Sequence, residues 1–269
     1  METAELLALF DKEQRIEIRV PGMQREATPR VIRHVSLPDA PGEGFVLYSC
    51  LKAGEVDAAI REQIAYFDGI GQAFEWKVFD HDTPPDLVDR LRAHGFEIED
   101  REAVMVLDLD EASPALTQPV SQKVRRLDDP SQLTLVLEIQ ERVWGEEMGW
   151  LAERLADEMR RDGDNVCIYI AYADGVPACS GWVRFHPPTQ FASLNGGSTL
   201  LEYRGRGLYS ALLAVRVQEA LRRGARFLTI DASPMSRPIV AKHGFRLLSY
   251  AHACNWSPDS AAQGAGVGQ

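Results

Sequence analysis

What this chain has little of narrows its function before any motif is considered. Its four cysteines, Cys50, Cys167, Cys179 and Cys254, lie far apart and form no C-x-x-C pair. A zinc knuckle and a dithiol redox motif are thereby excluded, and reduced structural thiols are expected. The six histidines show no H-E-x-x-H or other ligand spacing, so no metal site is expected. No apolar run approaches the length of a membrane span, and the beginning METAELLALFDKEQ has neither a basic n-region nor a long apolar h-region. The expectation is a soluble, cytoplasmic protein without a membrane partner. Positive charge is also short: 29 Lys and Arg against 40 Asp and Glu give a formal net charge of −11. That sign disfavours nucleic-acid binding, even though Arg204, Arg206, Arg216, Arg222, Arg223 and Arg226 cluster in sequence. It suits a cationic or neutral small acceptor.

An apolar content of 45% over 269 residues is enough for substantial cores in one large or two ordinary domains. Glu111 to Pro119 is poor in large apolar residues and carries two prolines, which reads as a connector. The boundaries expected are an N-terminal domain over 1–112, a second over 120–258 and a disordered tail over 259–269. In the second half Gln132 to Val143 has helical spacing, Trp144 to Trp150 interrupts it, and Leu151 to Met159 resumes. Val166 to Ala173 and Val176 to Phe185 are β-rich runs joined by Asp174-Gly175, a two-residue hairpin signal. A long strand follows over Phe191 to Leu201. The next helix has Leu208, Ala211, Leu212 and Val215 on one side and Leu213, Val217, Ala220 and Leu221 on the other, so it is expected to be buried. After the strand Phe227 to Asp231, Ser233-Pro234 starts another helix.

The two halves echo each other. His94-Gly95-Phe96 follows the strand Phe74 to Phe79 and a helix begun at Pro84 or Pro85, as His243-Gly244-Phe245 follows the Phe227 strand and its Pro234 helix. A duplicated fold accounts for the matched order.

The segment Leu201-Glu202-Tyr203-Arg204-Gly205-Arg206-Gly207-Leu208-Tyr209-Ser210 leaves a strand, passes two glycines flanked by arginines and enters a helix. Unpaired N–H groups and the positive end of a helix dipole then converge on one spot, an anion site suited to a diphosphate. The loop resembles the R-G-x-G loop of the GCN5-related N-acetyltransferases (GNAT). From about Lys123 to Trp256 the order of elements is similar to that family. The family pattern R/Q-x-x-G-x-G/A is met by Arg204 and Gly207, while Tyr209 stands where a small residue is expected. The resemblance implies an α/β, mixed-sheet fold with two GNAT-like units in tandem. The N-terminal unit is reduced, because Cys50 to Glu55 holds no R-G-x-G. It further implies that Thr199, Leu200, Leu201, Arg204, Gly205, Arg206, Gly207, Leu208, Tyr209 and Ser210 hold acetyl-coenzyme A.

Acetyl transfer to an amine requires a base, because a primary amine with a pKa of about 10 is mostly protonated at neutral pH. Glu202, beside the loop, is the expected base, with Glu146 and Glu147 as rivals. Trp144, Glu146 and Glu147 form an aromatic and acidic segment suited to a cationic amine. The tyrosine that many family members use as acid for the departing thiolate, four residues before the Gly-Phe pair, is Val240 here. Ser236 and Tyr209 are the substitutes. The function expected is N-acetyl transfer from acetyl-coenzyme A to a small amine by direct attack, in a monomer or homodimer. A non-catalytic acyl-coenzyme A sensor or scaffold is the alternative.

Overall fold

The structure, a computed structural model, describes residues 1–258; the expected disordered tail, 259–269, lies outside the described residues. Along the chain come α1 (Thr3–Phe10), a π-helical turn (Asp11–Ile16), β1 (Met23–Ala27), β2 (Val31–Ser36), β3 (Gly44–Ser49), α2 (Val56–Gly69) and β4 (Phe74–Phe79). Next are α3 (Leu87–Ala93), β5 (Glu97–Ile98), β6 (Glu102–Asp108), α4 (Pro114–Thr117) and β7 (Lys123–Leu127). Then follow α5 (Thr134–Trp144), α6 (Gly149–Asp162), β8 (Val166–Ala173), β9 (Val176–Phe185) and β10 (Phe191–Thr199). The last elements are α7 (Leu208–Arg222), β11 (Phe227–Ala232), α8 (Arg237–Lys242) and β12 (Arg246–Trp256). The chain divides into two compact units, one of residues 1–104 with the stretch from Leu248, the other Met105–Leu247. The stretch Glu111 to Pro119, expected to connect domains, is inside the second unit. There α4 packs on α7, and Gln218 Nε2 donates to the carbonyls of Leu116 (3.1 Å) and Gln118 (2.8 Å).

In the first unit β1, β2 and β3 form an antiparallel meander, α2 carries the chain to β4, parallel to β3, and β12 pairs antiparallel with β4. Helix α2 forms because Val56, Ala59, Ile60, Gln63 and Phe67 fall on one stripe, and all five are buried. Phe67 stacks on Phe74 with centroids 4.2 Å apart. The stack leaves no room above Gly44, where a Cβ would come 2.2 Å from the Phe67 ring. The parallel pairing of β3 with β4 runs from Gly44↔Phe74 to Val46↔Trp76. At its end the buried Arg15 donates from Nε to the Leu47 carbonyl (2.9 Å), from Nη1 to Asp11 (2.8 Å) and from Nη2 to Asp82 (2.7 Å). The guanidinium lies 4.1 Å from the centroid of the Phe79 ring. This cluster fills the place where the two strands part.

In the second unit the sheet order is β6-β11-β10-β9-β8-β7, with β10 and β11 parallel and the β7-β8, β8-β9 and β9-β10 pairs antiparallel. Asp174 (φ 52°) and Gly175 (φ 86°) make the left-handed turn that joins β8 to β9, as the dipeptide predicts. Strand β8 is covered on both faces. Alternation sends Ile168 and Ile170 into the core made with α5 and α6, and Cys167 toward Glu219 of α7 and Arg223 just past its end. Helix α7 buries Leu208, Ala211, Leu212, Leu213, Val217 and Ala220 as expected, and Ala214 with them, whereas Val215 is only half-buried and Leu221 is exposed. Helix α8 starts at Arg237 rather than at Ser233-Pro234. The Ser233 carbonyl takes the N–H groups of both Ser236 and Arg237, so the chain makes a turn before it coils.

Candidate active site

Strand β10 contains the feature from which the site is built. It pairs with β11 only from Phe191↔Phe227 to Leu194↔Ile230, and its register with β9 shifts between Asn195 and Ser198. A bulge at Gly196-Gly197 bends the strand and separates it from β11. Gly196 needs its missing side chain twice over: its φ is 61°, and a Cβ would come within 1.9 Å of the Trp182 ring. The bulge is fixed by side chains of two helices. Gln140 of α5 donates to the Gly196 carbonyl (2.7 Å) and to Ser180 Oγ (2.9 Å), and accepts from Ser198 Oγ (3.0 Å). Trp144 Nε1 donates to Gln140 Oε1 at 3.1 Å and stands 3.3 Å from Ser198 Oγ. From α7, the Tyr209 ring covers Gly197, where a Cβ would sit 2.8 Å away, and Arg216 Nη1 reaches the carbonyls of Trp182 (3.3 Å) and Asn195 (3.4 Å).

Beyond β10 a 3-10 turn (Leu201–Tyr203) leads into Arg204-Gly205-Arg206-Gly207. Gly205 (φ 74°) and Gly207 (φ 77°) are both left-handed, and Gly207 is the N-cap of α7. The first bond from beyond the cap runs from Ala211 N–H to the Gly207 carbonyl (3.0 Å), so the N–H groups of Leu208, Tyr209 and Ser210 have no partner within the helix. The three residues that carry them line a cavity of about 400 Å³. The bulge residues Gly197 and Ser198 line it on one side and the turn and helix carrying Ser233, Met235 and Ile239 on another; Trp144 closes a third. An anion there meets a helix N-terminus fifteen residues long with its full dipole.

Of the residues expected to hold coenzyme, Thr199, Arg204, Gly205, Gly207, Leu208, Tyr209 and Ser210 line the cavity. Leu200, Leu201 and Arg206 do not. Leu200 is buried with its N–H given to the Ala178 carbonyl (3.0 Å), Leu201 is 74% exposed on the turn, and Arg206 pairs with Asp174 (2.8 Å). Of the residues expected to carry chemistry, Tyr209 and Ser236 line the cavity and Glu202 does not. Glu202 sits on the exposed turn with Arg142 at 2.5 Å. Its own backbone N–H and the Arg142 guanidinium hold its pKa below the usual carboxylate value, which makes it a poorer proton acceptor. Trp144 reaches the cavity, whereas Glu146 and Glu147, on the loop after α5, are exposed and stay outside it. Val240 is fully buried. The arginine cluster is also accounted for: Arg216 is buried, Arg222 and Arg223 hold Glu219, and Arg226 holds Asp108.

Three contributors were not visible in the sequence. Gln140 and Arg216 act on the bulge, and His243 Nε2 lies 3.2 Å from Ser210 Oγ, fixing a hydroxyl in the first turn of α7. Burial lowers the His243 pKa, which favours the neutral ring. In the first unit His94 Nε2 lies 3.0 Å from Asp57 in the first turn of α2, so the repeat extends to this contact, with a carboxylate where the second unit has a hydroxyl. The buried thiol of Cys179 accepts from Oγ1 of the cavity-lining Thr199 (3.1 Å), and burial pushes its pKa to about 11. Among the described residues no cluster of three or more His, Cys, Asp or Glu side chains is arranged to hold a metal, and no helix is long and apolar enough to cross a membrane.

Residues 131–245 match the model of the acetyltransferase (GNAT) family. Solved structures share the fold over most of the chain. A GCN5-related N-acetyltransferase from Kribbella flavida has a TM-score of 0.68 and 14% identity, covering 94% of this chain and 95% of its own. A tandem GNAT protein from the clavulanic acid biosynthesis pathway has a TM-score of 0.58 and 16% identity, covering 95% and 94%. A GCN5-related N-acetyltransferase from Sphaerobacter thermophilus has a TM-score of 0.59 and 14% identity, covering 85% and 77%. Among curated proteins none matches. The family supports an acyl-transfer function in general.

Proposed function

We propose that the second unit is an N-acetyltransferase that takes its acetyl group from acetyl-coenzyme A and passes it to an amine by direct attack. The observation that carries this reading is the pair of left-handed glycines, Gly205 and Gly207, opening the N-terminus of α7 into the cavity where β10 and β11 part. The free N–H groups of the first turn suit the pyrophosphate, assisted by Ser210 Oγ and Arg204. The gap between the strands admits the pantetheine arm and brings the thioester against the bulge, whose backbone amides can polarise its carbonyl. Cys179 remains a thiol at neutral pH, which supports direct attack rather than an acyl-cysteine. Tyr209 and Ser236 are the hydroxyls available to the departing sulfur, and the Trp144 side is the approach for a small amine acceptor.

Calorimetric titration with acetyl-coenzyme A tests the reading. Gly207→Val forces a β-branched residue into the left-handed region and fills the cap, so it should weaken binding by about tenfold or more. Unchanged affinity would overturn the assignment. Val240 at the usual acid position favours the second reading, a non-catalytic acyl-coenzyme A sensor. Tight binding with no thiol release across a panel of amines would decide for it.

A further inference from the structure

Three large apolar side chains of the second unit stand open to solvent around one cavity. Trp144 at the end of α5 is 59% exposed, Met235 in the turn after β11 is 61% exposed, and Ile239 of α8 is 36% exposed; all three line it. Half-buried Val143 and Tyr203 add to the same lining. Apolar surface gathered in this way gains free energy when a ligand covers it. The Trp144 indole turns its N–H inward to Gln140 Oε1 (3.1 Å), so what it offers that ligand is ring carbon. Charge in the cavity has one sign. Among the described residues that line it, the formal charge is the guanidinium of Arg204. Carboxylates close in sequence are directed elsewhere: Glu141 accepts the Met148 N–H (2.9 Å), Glu202 holds Arg142, and Glu146 and Glu147 are exposed outside the cavity. An ammonium entering here meets a like charge, and the face of an exposed ring attracts it only weakly. An alkylamine must also shed a proton before it attacks, and with a pKa of about 10 only about one molecule in a thousand is neutral at pH 7.

We infer that the acceptor is an arylamine, an uncharged amine carried on an aromatic ring. The inference rests on the acyl-coenzyme A reading above and names the class of substrate for that site. Delocalisation of the lone pair into the ring leaves such a nitrogen unprotonated at pH 7, so it enters as the nucleophile itself. Its ring packs among Trp144, Met235 and Ile239, and its nitrogen turns to the bulge at Gly197 and Ser198, against which the thioester is read to lie. In the step concerned the nitrogen forms the new C–N bond, and the C–S bond breaks with its electron pair on sulfur. The proton leaves nitrogen only after attack, when the nitrogen bears positive charge and is acidic enough to give it to solvent unaided. The placement of Glu202 on the exposed turn with Arg142 then costs the reaction nothing. The net negative charge of the chain, which suited a cationic acceptor, is not the charge this cavity presents.

Two isomers separate the classes. para-Toluidine and benzylamine contain the same atoms, but at pH 7 the first is neutral and the second a cation. Each is titrated calorimetrically into the full chain saturated with coenzyme A, and thiol release from acetyl-coenzyme A is followed with each. para-Toluidine should bind about tenfold more tightly and, at limiting amine, release thiol about tenfold faster. Ile239→Glu sets a carboxylate in the lining and should shrink both ratios by about threefold or more, because it admits the cation. Equal or tighter binding of benzylamine, or thiol release with benzylamine alone, overturns the inference and leaves the coenzyme site standing. Release with neither amine overturns it as well and decides for the sensor. Absence of any coenzyme binding removes both readings. Should Ile239→Glu fail to fold, the two isomers on the wild-type chain decide alone.

Discussion

At the scale of single residues, the site depends on glycines whose place is taken by a neighbour's ring. Gly196 lies beneath Trp182 and Gly197 beneath Tyr209, so each glycine and its aromatic partner form one packing unit. Gly196→Ala should cost about 3 kcal/mol in urea unfolding, since it adds left-handed strain to a clash that the buried Trp182 cannot relieve. Gly197→Ala should cost about 1–2 kcal/mol, and adding Tyr209→Ala should recover part of that loss. Strict additivity in this double-mutant cycle would show that the ring and the glycine are not in contact in solution. The sequence displayed the two glycines and the misplaced tyrosine separately. It could not show that they belong together, because the contact joins a strand to a helix that follows a turn. Glu202 misled for the converse reason: its position beside the loop is correct, but the turn directs its side chain to Arg142 and solvent.

At the scale of elements, α7 does three tasks with different faces. Its N-terminus presents free amides, its inner face packs the sheet, and its last turns hold a charged cluster in which Glu219 receives Arg222 Nη2 (2.7 Å) and Arg223 Nε (2.6 Å). The Arg222 hydrogen bond above all, opposed by desolvation and reinforced by Arg223, lowers the Glu219 pKa to about 2. A depressed carboxylate stabilises the fold above its unfolded pKa, and that contribution disappears as pH falls through the folded value. Glu219→Gln should therefore be less stable than wild type by about 2 kcal/mol at neutral pH, and the difference should close as pH falls from about 4.5 to about 2. Equal stability at neutral pH would contradict the pairing. Elements of this kind were largely legible: the hairpin at Asp174-Gly175 and the α7 stripe follow from turn chemistry and 3.6-residue spacing. The start of α8 was not, because Ser233-Pro234 is an equally good opening for the turn that forms there. The run of arginines does not mark Arg216 as buried, since spacing alone does not reveal that its stripe faces the sheet.

At the scale of the whole molecule, the two units share a plan and differ in what that plan can bind. The first has Asp57 where the second has Ser210, and its parting strands enclose Arg15 rather than open space. A carboxylate at a helix N-terminus satisfies the dipole that a phosphate would otherwise meet. Titration with acetyl-coenzyme A should accordingly saturate at one molecule per chain, and a second site would contradict this account. The duplicated H-G-F turns announced the repeat, but the connector at Glu111 to Pro119 did not separate compact units, because its one large apolar side chain, Leu116, is buried and α4 packs on α7. The hydrogen bonds of Trp144 have one more consequence. Trp76, Trp182 and Trp256 are enclosed in cores and the exposed Trp150 does not line the cavity, whereas the Trp144 indole is half open to solvent and tied to the rim that a ligand must touch. Its emission should shift when the cavity fills, and should stay constant in Trp144→Phe, so the protein carries an optical gauge of its own occupancy.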